Sequence, residues 1–257
     1  MTGEEFSSPA DIADLICGLD RPLLLVFDCD GVLAPIVDHA DDAELLPRTG
    51  ALLAAIAGAT DIKVAVLSGR SLDGLEQFGF DTSIAVAGSY GAERRGVDAD
   101  ELSDEEADLL CRIGERAAFA AERAGDGAWV ERKPGSVVLH VRQADPERGA
   151  AAVRWLLDRI EAADVHEGSG VIELMARPMD KGTGLTTLRN EAQPRTTVYL
   201  GDDVPDEDAF AQLGPGDVGV KIGSSPTIAS HRLPGPEAVR AMLEAIAERT
   251  GATTPDT

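Results

Sequence analysis

Two aspartates separated by one residue, in Asp28-Cys29-Asp30-Gly31, follow directly on the apolar run LLLVF at 23–27. An aspartate at the end of such a run is costly unless its charge is met. Gly31 lets the chain turn, so both carboxylates can surround one point instead of alternating across a strand. Such a pair can hold a hard cation through oxygen, or divide the work of nucleophile and general acid/base. Taken alone, the pattern also fits a solvated loop with a helix cap. A second acidic group, Gly201-Asp202-Asp203-Val204-Pro205-Asp206-Glu207-Asp208, follows the run TTVYL. Its carboxylates repel one another unless a cation or water dilutes the charge. The D-x-D-x-D-G spacing of a calcium loop and its glutamate at position twelve are missing, and the preceding run reads as strand, not helix. With Asp28 and Asp30 on a sister strand end, a shared Mg²⁺ site is the better reading of Asp202, Asp203 and Asp206, against a merely solvated acidic loop.

A phosphate-handling site also needs cations, and lysine is scarce: Lys63, Lys133, Lys181 and Lys221 are the only four. In a chain that otherwise chooses arginine, a lysine marks a place for a compact point charge. Lys181 lies in DKGTG, where Gly182 permits close approach and a helix can begin. A lysine at a helix start opposes the macrodipole, which a bound anion would repair. Ser68-Gly69-Arg70 offers a hydroxyl and backbone N–H groups for a phosphoryl oxygen, with a helix cap at Ser68 as the bland alternative.

These groups need elements to hold them. Residues 23–28, 63–70, 83–91, 196–203 and 218–223 read as buried strands that end in Asp, Ser or Gly. A helix is expected from Leu46 to Ala59, with Leu46, Gly50, Leu53 and Ala57 on one face. In an open α/β sheet such strand ends converge on one crevice. Residues 97–176 differ: a helix over 102–124, strands at 128–133 and 136–142 about Pro134-Gly135, a helix over 146–162, and strands at 164–168 and 170–176. That α-β-β-α-β-β order is an antiparallel module inserted in a parallel-sheet core of residues 1–96 and 177–257. The tail TGATTPDT reads as frayed.

Composition narrows the partners. Across 257 residues, 23 Lys and Arg stand against 46 Asp and Glu, a formal charge of −23. Nucleic acid and anionic membrane surfaces would repel such a chain. It contains no apolar run long enough to span a membrane, and its first fifteen residues are acidic where a secretory signal is basic. Cys17, Cys29 and Cys111 form neither a zinc template nor a disulfide framework, so a reduced, cytoplasmic setting is expected.

Read together, Asp28/Asp30, Ser68, Lys181 and the Asp202–Asp206 loop resemble the haloacid dehalogenase (HAD) phosphohydrolases, whose DxD, Ser/Thr, Lys and acidic motifs come in this order at strand ends. DCDGVLAPI, LSGR, GSYGAE, ERKPGSVVLHVR, IELMARPMDKG, YLGDDVPDEDAF and GVKIGSSPTIA resemble the blocks of trehalose-6-phosphate phosphatases. Val32 and Pro205 depart from that pattern, each standing where threonine is usual. The resemblance implies an α/β, HAD-like Rossmannoid core with an inserted, mobile α+β cap of the C2 type. It implies Mg²⁺-dependent hydrolysis of trehalose 6-phosphate in trehalose biosynthesis, with a functional link to a trehalose-6-phosphate synthase. Asp28 would become an aspartyl phosphate, and Asp30 would serve as acid and then base. Asp28, the carbonyl of Asp30 and Asp202 would hold the metal, with Asp203 and Asp206 orienting its waters. Ser68 and Lys181, with Gly69 and Arg70, would hold the phosphoryl group. Glu131, Lys133, His140, Arg142 and Glu173 would read the sugar, and Gly88, Tyr90 and Glu93 are left as hinge or sugar-facing residues. The alternatives are another sugar or glycosyl phosphate as substrate, or a phosphate-sensing domain, which the extra Asp30 and the insert oppose.

Overall fold

The computed structural model describes residues 6–37, 39–59, 61–98, 101–160, 164–168 and 170–252. They divide into two units, Met1–Val97 with Asp180–Thr257, and Asp98–Met179. The first unit opens with helix α1 (Pro9–Cys17), capped by the Ser8 hydroxyl on the Asp11 amide and burying Ile12, Ala13 and Ile16. Strand β1 (Leu23–Phe27) is buried at every position, as a continuous apolar run demands of a strand covered on both faces. Helix α2 (Thr49–Ala57) starts later than the expected Leu46. Pro47 has no amide to donate and Arg48 sits at φ 71°, so the helix begins beyond them. Its buried face is Thr49, Leu52, Leu53 and Ile56, not the stripe through Gly50 and Ala57. Strand β2 (Ile62–Leu67), the short helix α3 (Leu72–Glu76), β3 (Ala85–Gly88) and β4 (Glu93–Arg94) complete this half.

The second unit begins with α4 (Asp104–Ala124), whose start is set by a capping box between Ser103 and Glu106. Strands β5 (Trp129–Arg132) and β6 (Ser136–His140), helix α5 (Pro146–Leu157), and strands β7 (Asp164–Gly168) and β8 (Val171–Met175) follow. Helix α5 ends at Leu157, short of the expected 162, and residues 161–163 lie outside the described residues. The strands form an antiparallel sheet in the order β5-β6-β8-β7. Val137, Leu139, Ile172 and Leu174 on one face pack with Ile113, Ala117 and Ala120 of α4 and with Leu156 of α5.

The chain then returns to the first unit through α6 (Lys181–Ala192), β9 (Thr196–Gly201), α7 (Pro205–Ala211), β10 (Val218–Ile222), β11 (His231–Leu233) and α8 (Pro236–Thr250). The seven-stranded sheet runs β11-β10-β9-β1-β2-β3-β4, parallel except for the last pair. Register places Phe27 beside Val66 on one side and Leu200 on the other, so β1, β2 and β9 finish level. The strands expected to reach 28, 70, 91 and 203 stop earlier, at Phe27, Leu67, Gly88 and Gly201. The polar residues that follow leave the ladder, and Ser89 and Tyr90 turn away at φ 48° and 58°. Of the tail expected to fray, residues 253–257 lie outside the described residues. Among the described residues the three cysteines are free, and no helix is long and apolar enough to cross a membrane.

Candidate active site

Asp28 leaves β1 with its backbone amide still donating to the Leu200 carbonyl, which pins it to the β9 side. Its carboxylate is buried and accepts an ion pair from Lys181 Nζ at 2.9 Å. Lys181 stands at the first position of α6, behind the N-cap Asp180, and its Nζ also lies 2.6 Å from Asp206 Oδ1. Asp206 is fully buried and saturated: the Tyr199 hydroxyl donates to Oδ1 at 2.7 Å, and the amides of Asp202 and Asp203 donate to Oδ2 at 2.8 and 2.9 Å. The acidic loop is therefore wrapped around one of its own carboxylates.

Two glycines make this packing possible. Gly31, at φ 74°, lies under the Asp202 carboxylate, where any Cβ would collide with it. Gly201 lies under the Asp206 carboxylate in the same way. Only residues without a side chain fit at either point, and at Gly31 the backbone conformation demands glycine as well.

Oxygens of Asp28, Asp202 and Asp206 all lie within 4.8 Å of one another. Three carboxylates against Lys181 leave two negative charges uncompensated. Burial, and behind it the charge of Asp206, pushes Asp202 up to about 6. Burial likewise raises Asp28 well above the carboxylate range, against the pull of Lys181. Asp206 behaves oppositely: burial would raise it, but Lys181, the Asp203 amide and the Tyr199 hydroxyl hold it low. Lys181 itself is raised, because the charges of Asp206 and Asp28 outweigh its desolvation. An all-oxygen set with a surplus of two negative charges fits a hard divalent cation such as Mg²⁺.

The remaining expected residues lie around this centre in varied ways. Asp30 is held by Arg70 in a two-pronged ion pair, Nε to Oδ2 at 2.6 Å and Nη2 to Oδ1 at 2.7 Å. Ser68, buried at the end of β2, accepts the Arg70 amide at 3.2 Å, while the cap of α3 is Ser71. Gly69 faces the Tyr90 ring, which a Cβ there would press upon. Ser89 and Glu93 tie this segment down: the Ser89 hydroxyl donates to Glu93, whose carboxylate also accepts the Leu72 amide. Asp203 is exposed, with Oδ1 accepting the Val204 amide, and it is not part of the close carboxylate group. Val32 is fully buried in the main core, so the position calls for apolar volume. Pro205 occupies the first turn of α7, where a missing amide costs nothing, and the Asp202 and Asp203 amides keep their bonds beside it.

In the second unit, Lys133 Nζ lies 3.1 Å from Glu173 Oε1, which also accepts the Ser136 hydroxyl at 2.6 Å. His140 Nε2 lies 3.1 Å from Glu131 Oε2, and that hydrogen bond holds Glu131 below its ordinary range. Glu131, Lys133, His140 and Glu173 share the sheet face turned away from α4 and α5. Arg142 lies past the end of β6, which stops at His140, and is exposed beside Gly170.

Three participants were missed by sequence reasoning. Tyr199 supports Asp206, and Lys221 Nζ reaches the Asp203 carbonyl at 3.1 Å and Glu207 at 3.3 Å. Trp129 stacks on His140. Rarity was the available signal, since the chain has two tyrosines, two tryptophans and four lysines.

A parallel sheet whose level strand ends gather Asp28, Ser68 and Asp202, with an antiparallel unit inserted in the chain, defines a HAD-fold phosphohydrolase. Residues 26–237 match the family model described as trehalose-phosphatase, and the chain belongs to that family. It is 33% identical over 227 residues to the trehalose-6-phosphate phosphatase of Escherichia coli (strain K12), covering 86% of this chain and 85% of that protein. It is 36% identical over 234 residues to the trehalose-phosphate phosphatase of Mycobacterium marinum (strain ATCC BAA-535 / M), covering 83% of this chain but only 59% of that longer protein. The solved trehalose-6-phosphate phosphatase of Aspergillus fumigatus superposes with a TM-score of 0.66 at 26% identity, covering 98% of this chain and 100% of that one.

Proposed function

We propose that this chain hydrolyses trehalose 6-phosphate to trehalose and phosphate, with Asp28 as nucleophile. The observation that carries the reading is the position of Asp28: first residue past a central strand, buried, and held by a lysine beside two further carboxylates. An Asp28 carboxylate oxygen attacks phosphorus, and the bond from phosphorus to the sugar oxygen breaks. Asp30 supplies the proton that the departing sugar oxygen takes up. Asp30 then accepts a proton from the water that attacks phosphorus, the bond to Asp28 breaks, and phosphate leaves. Lys181 and the Ser68 hydroxyl hold phosphoryl oxygens, which is most of what phosphoryl transfer asks of a protein. Asp28 and Asp202 are the side chains to hold Mg²⁺, which would supply the charge that lets an ionised carboxylate approach a phosphate ester. In the structure Asp30 is gripped by Arg70, so proton delivery requires Asp30 to turn from that guanidinium toward the leaving oxygen. Glu131, Lys133, His140 and Glu173 supply the donors and acceptors for sugar hydroxyls, and the second unit is the specificity unit.

The test is phosphate release from a panel of sugar phosphates with Mg²⁺, with Asp28→Asn as control. Strong preference for trehalose 6-phosphate, abolished by the substitution and by a chelator, supports the proposal. Equal or greater release from other sugar phosphates overturns the substrate assignment. Full activity in Asp28→Asn overturns the nucleophile.

A further inference from the structure

Trp129 keeps 51% of its surface exposed, although a tryptophan has more apolar area to hide than any other residue. Its ring is not loose. It stacks on His140, directly opposite in the β5–β6 ladder, with ring centroids 3.8 Å apart and planes 2° from parallel. The imidazole is fixed in turn by Glu131 at 3.1 Å. One face of the indole is thus covered by His140, and the orientation of the other is set before any ligand arrives.

Alternation along β5 puts Trp129 on the same sheet face as Glu131, and pairing through Val138 brings Glu173 onto that face, with Lys133 bonded to it. The opposite face is spent on α4 and α5. A half-exposed flat ring thus shares one sheet face with two carboxylates and an ammonium. That surface is complementary to one kind of molecule, a pyranose, which has a face of C–H bonds and a rim of hydroxyls. A nonpolar partner would make no use of the Glu131, Lys133 and Glu173 groups beside the ring, whereas a polyanion would meet carboxylates.

We infer that Trp129, pinned by His140, is a stacking platform for a pyranose ring of the substrate and sets its affinity. This rests on the proposed sugar-phosphate substrate and adds a residue outside the polar set. A preoriented ring loses little rotamer freedom on binding, so its contribution falls in KM and leaves kcat alone.

Intrinsic fluorescence tests it in the full-length protein, because the chain has two tryptophans and Trp155 lies against Phe119, in α4. Titration with unphosphorylated trehalose is expected to give a saturable emission change in Trp155→Phe that is absent in Trp129→Phe. An unchanged signal in Trp129→Phe, or none in Trp155→Phe, overturns the platform. In turnover, Trp129→Ala is expected to raise KM for trehalose 6-phosphate about three- to tenfold with kcat within about twofold, the size of a lost aromatic contact. Trp129→Tyr should recover most of the loss. Equal KM in Trp129→Ala, or a fall in kcat that matches the fall in kcat/KM, overturns the inference. Failure of the substrate assignment is separately visible, as poor release from trehalose 6-phosphate by the unsubstituted enzyme.

Discussion

Lys181→Met removes the one ammonium that faces Asp28 and Asp206 at 2.9 and 2.6 Å, with both partners and the lysine buried. The local charge goes from three carboxylates balanced by one cation to three with none. Losing one member of a buried ion pair costs about 3–5 kcal/mol, chiefly because the partner is left charged and unpaired. Lys181 is raised above its ordinary value, so its contribution is complete at neutral pH and would vanish only in strong base. In the metal-free variant the pH dependence comes from the acids. Asp28 and Asp202 are raised in the fold, so the folded state takes up protons before the unfolded chain does as pH falls. Urea unfolding of metal-free Lys181→Met is therefore expected to show a loss of about 3–5 kcal/mol at pH 7. At pH 5 the loss should shrink, because Asp202 and Asp28 can be neutralised by protons. Saturating Mg²⁺ should recover part of it at pH 7. Phosphate release should fall about 10²–10³-fold even in the refolded, Mg²⁺-loaded variant, as for loss of one charge-stabilising donor. A variant as stable as the parent at pH 7 without metal, or equally destabilised at both pH values, would refute the charge accounting.

Asp202→Asn should weaken Mg²⁺ binding, read by calorimetry, yet stabilise the metal-free protein at pH 7. The parent's metal-free stability should fall as pH rises from about 4 to about 6, through the interval over which Asp202 ionises in the unfolded and then the folded chain. Gly31→Ala combines a left-handed backbone with a collision at the Asp202 carboxylate, and should lower Mg²⁺ affinity and thermal midpoint together. Pro205→Thr should leave phosphate release within about twofold and slightly lower the thermal midpoint, since a preset first-turn angle is given up. A large gain in activity from that substitution would show that Pro205 distorts the acidic loop.

The buried strands were legible because β1, β2, β9 and β10 are apolar runs stopped by polar residues. Asp28, Lys181 and Asp202 could be picked out because each stands at such a stop, and they meet in the structure. What was not legible depends on register. Asp30 meets Arg70 only because β1 and β2 are parallel neighbours, and Trp129 meets His140 only because that hairpin pairs them. The Lys133–Glu173 pair needs the order β5-β6-β8, which no local pattern encodes. Strand β6 stops at His140, two residues short of Arg142, so alternation along it does not reach that residue. Helices α1 and α8 have marked starts in Ser8-Pro9 and Gly235-Pro236, but their apolar stripes are short and diluted by alanine and acidic residues.

The order of strands in the seven-stranded sheet bears on how the protein is made. The strand that leads into Asp28 is translated before the inserted unit, but one of its two neighbours, Thr196–Gly201, comes off the ribosome only after the whole of Asp98–Met179. Until then Leu23–Phe27, apolar at every position, has an unpaired edge, which is the kind of surface that nascent chains lose to aggregation. The inserted unit has the opposite character: its strands pair only with one another, and its residues form one uninterrupted stretch. It can finish folding on the ribosome while the catalytic sheet is still waiting for its second half, so the yield of active enzyme should depend on synthesis speed and chaperones through the core alone.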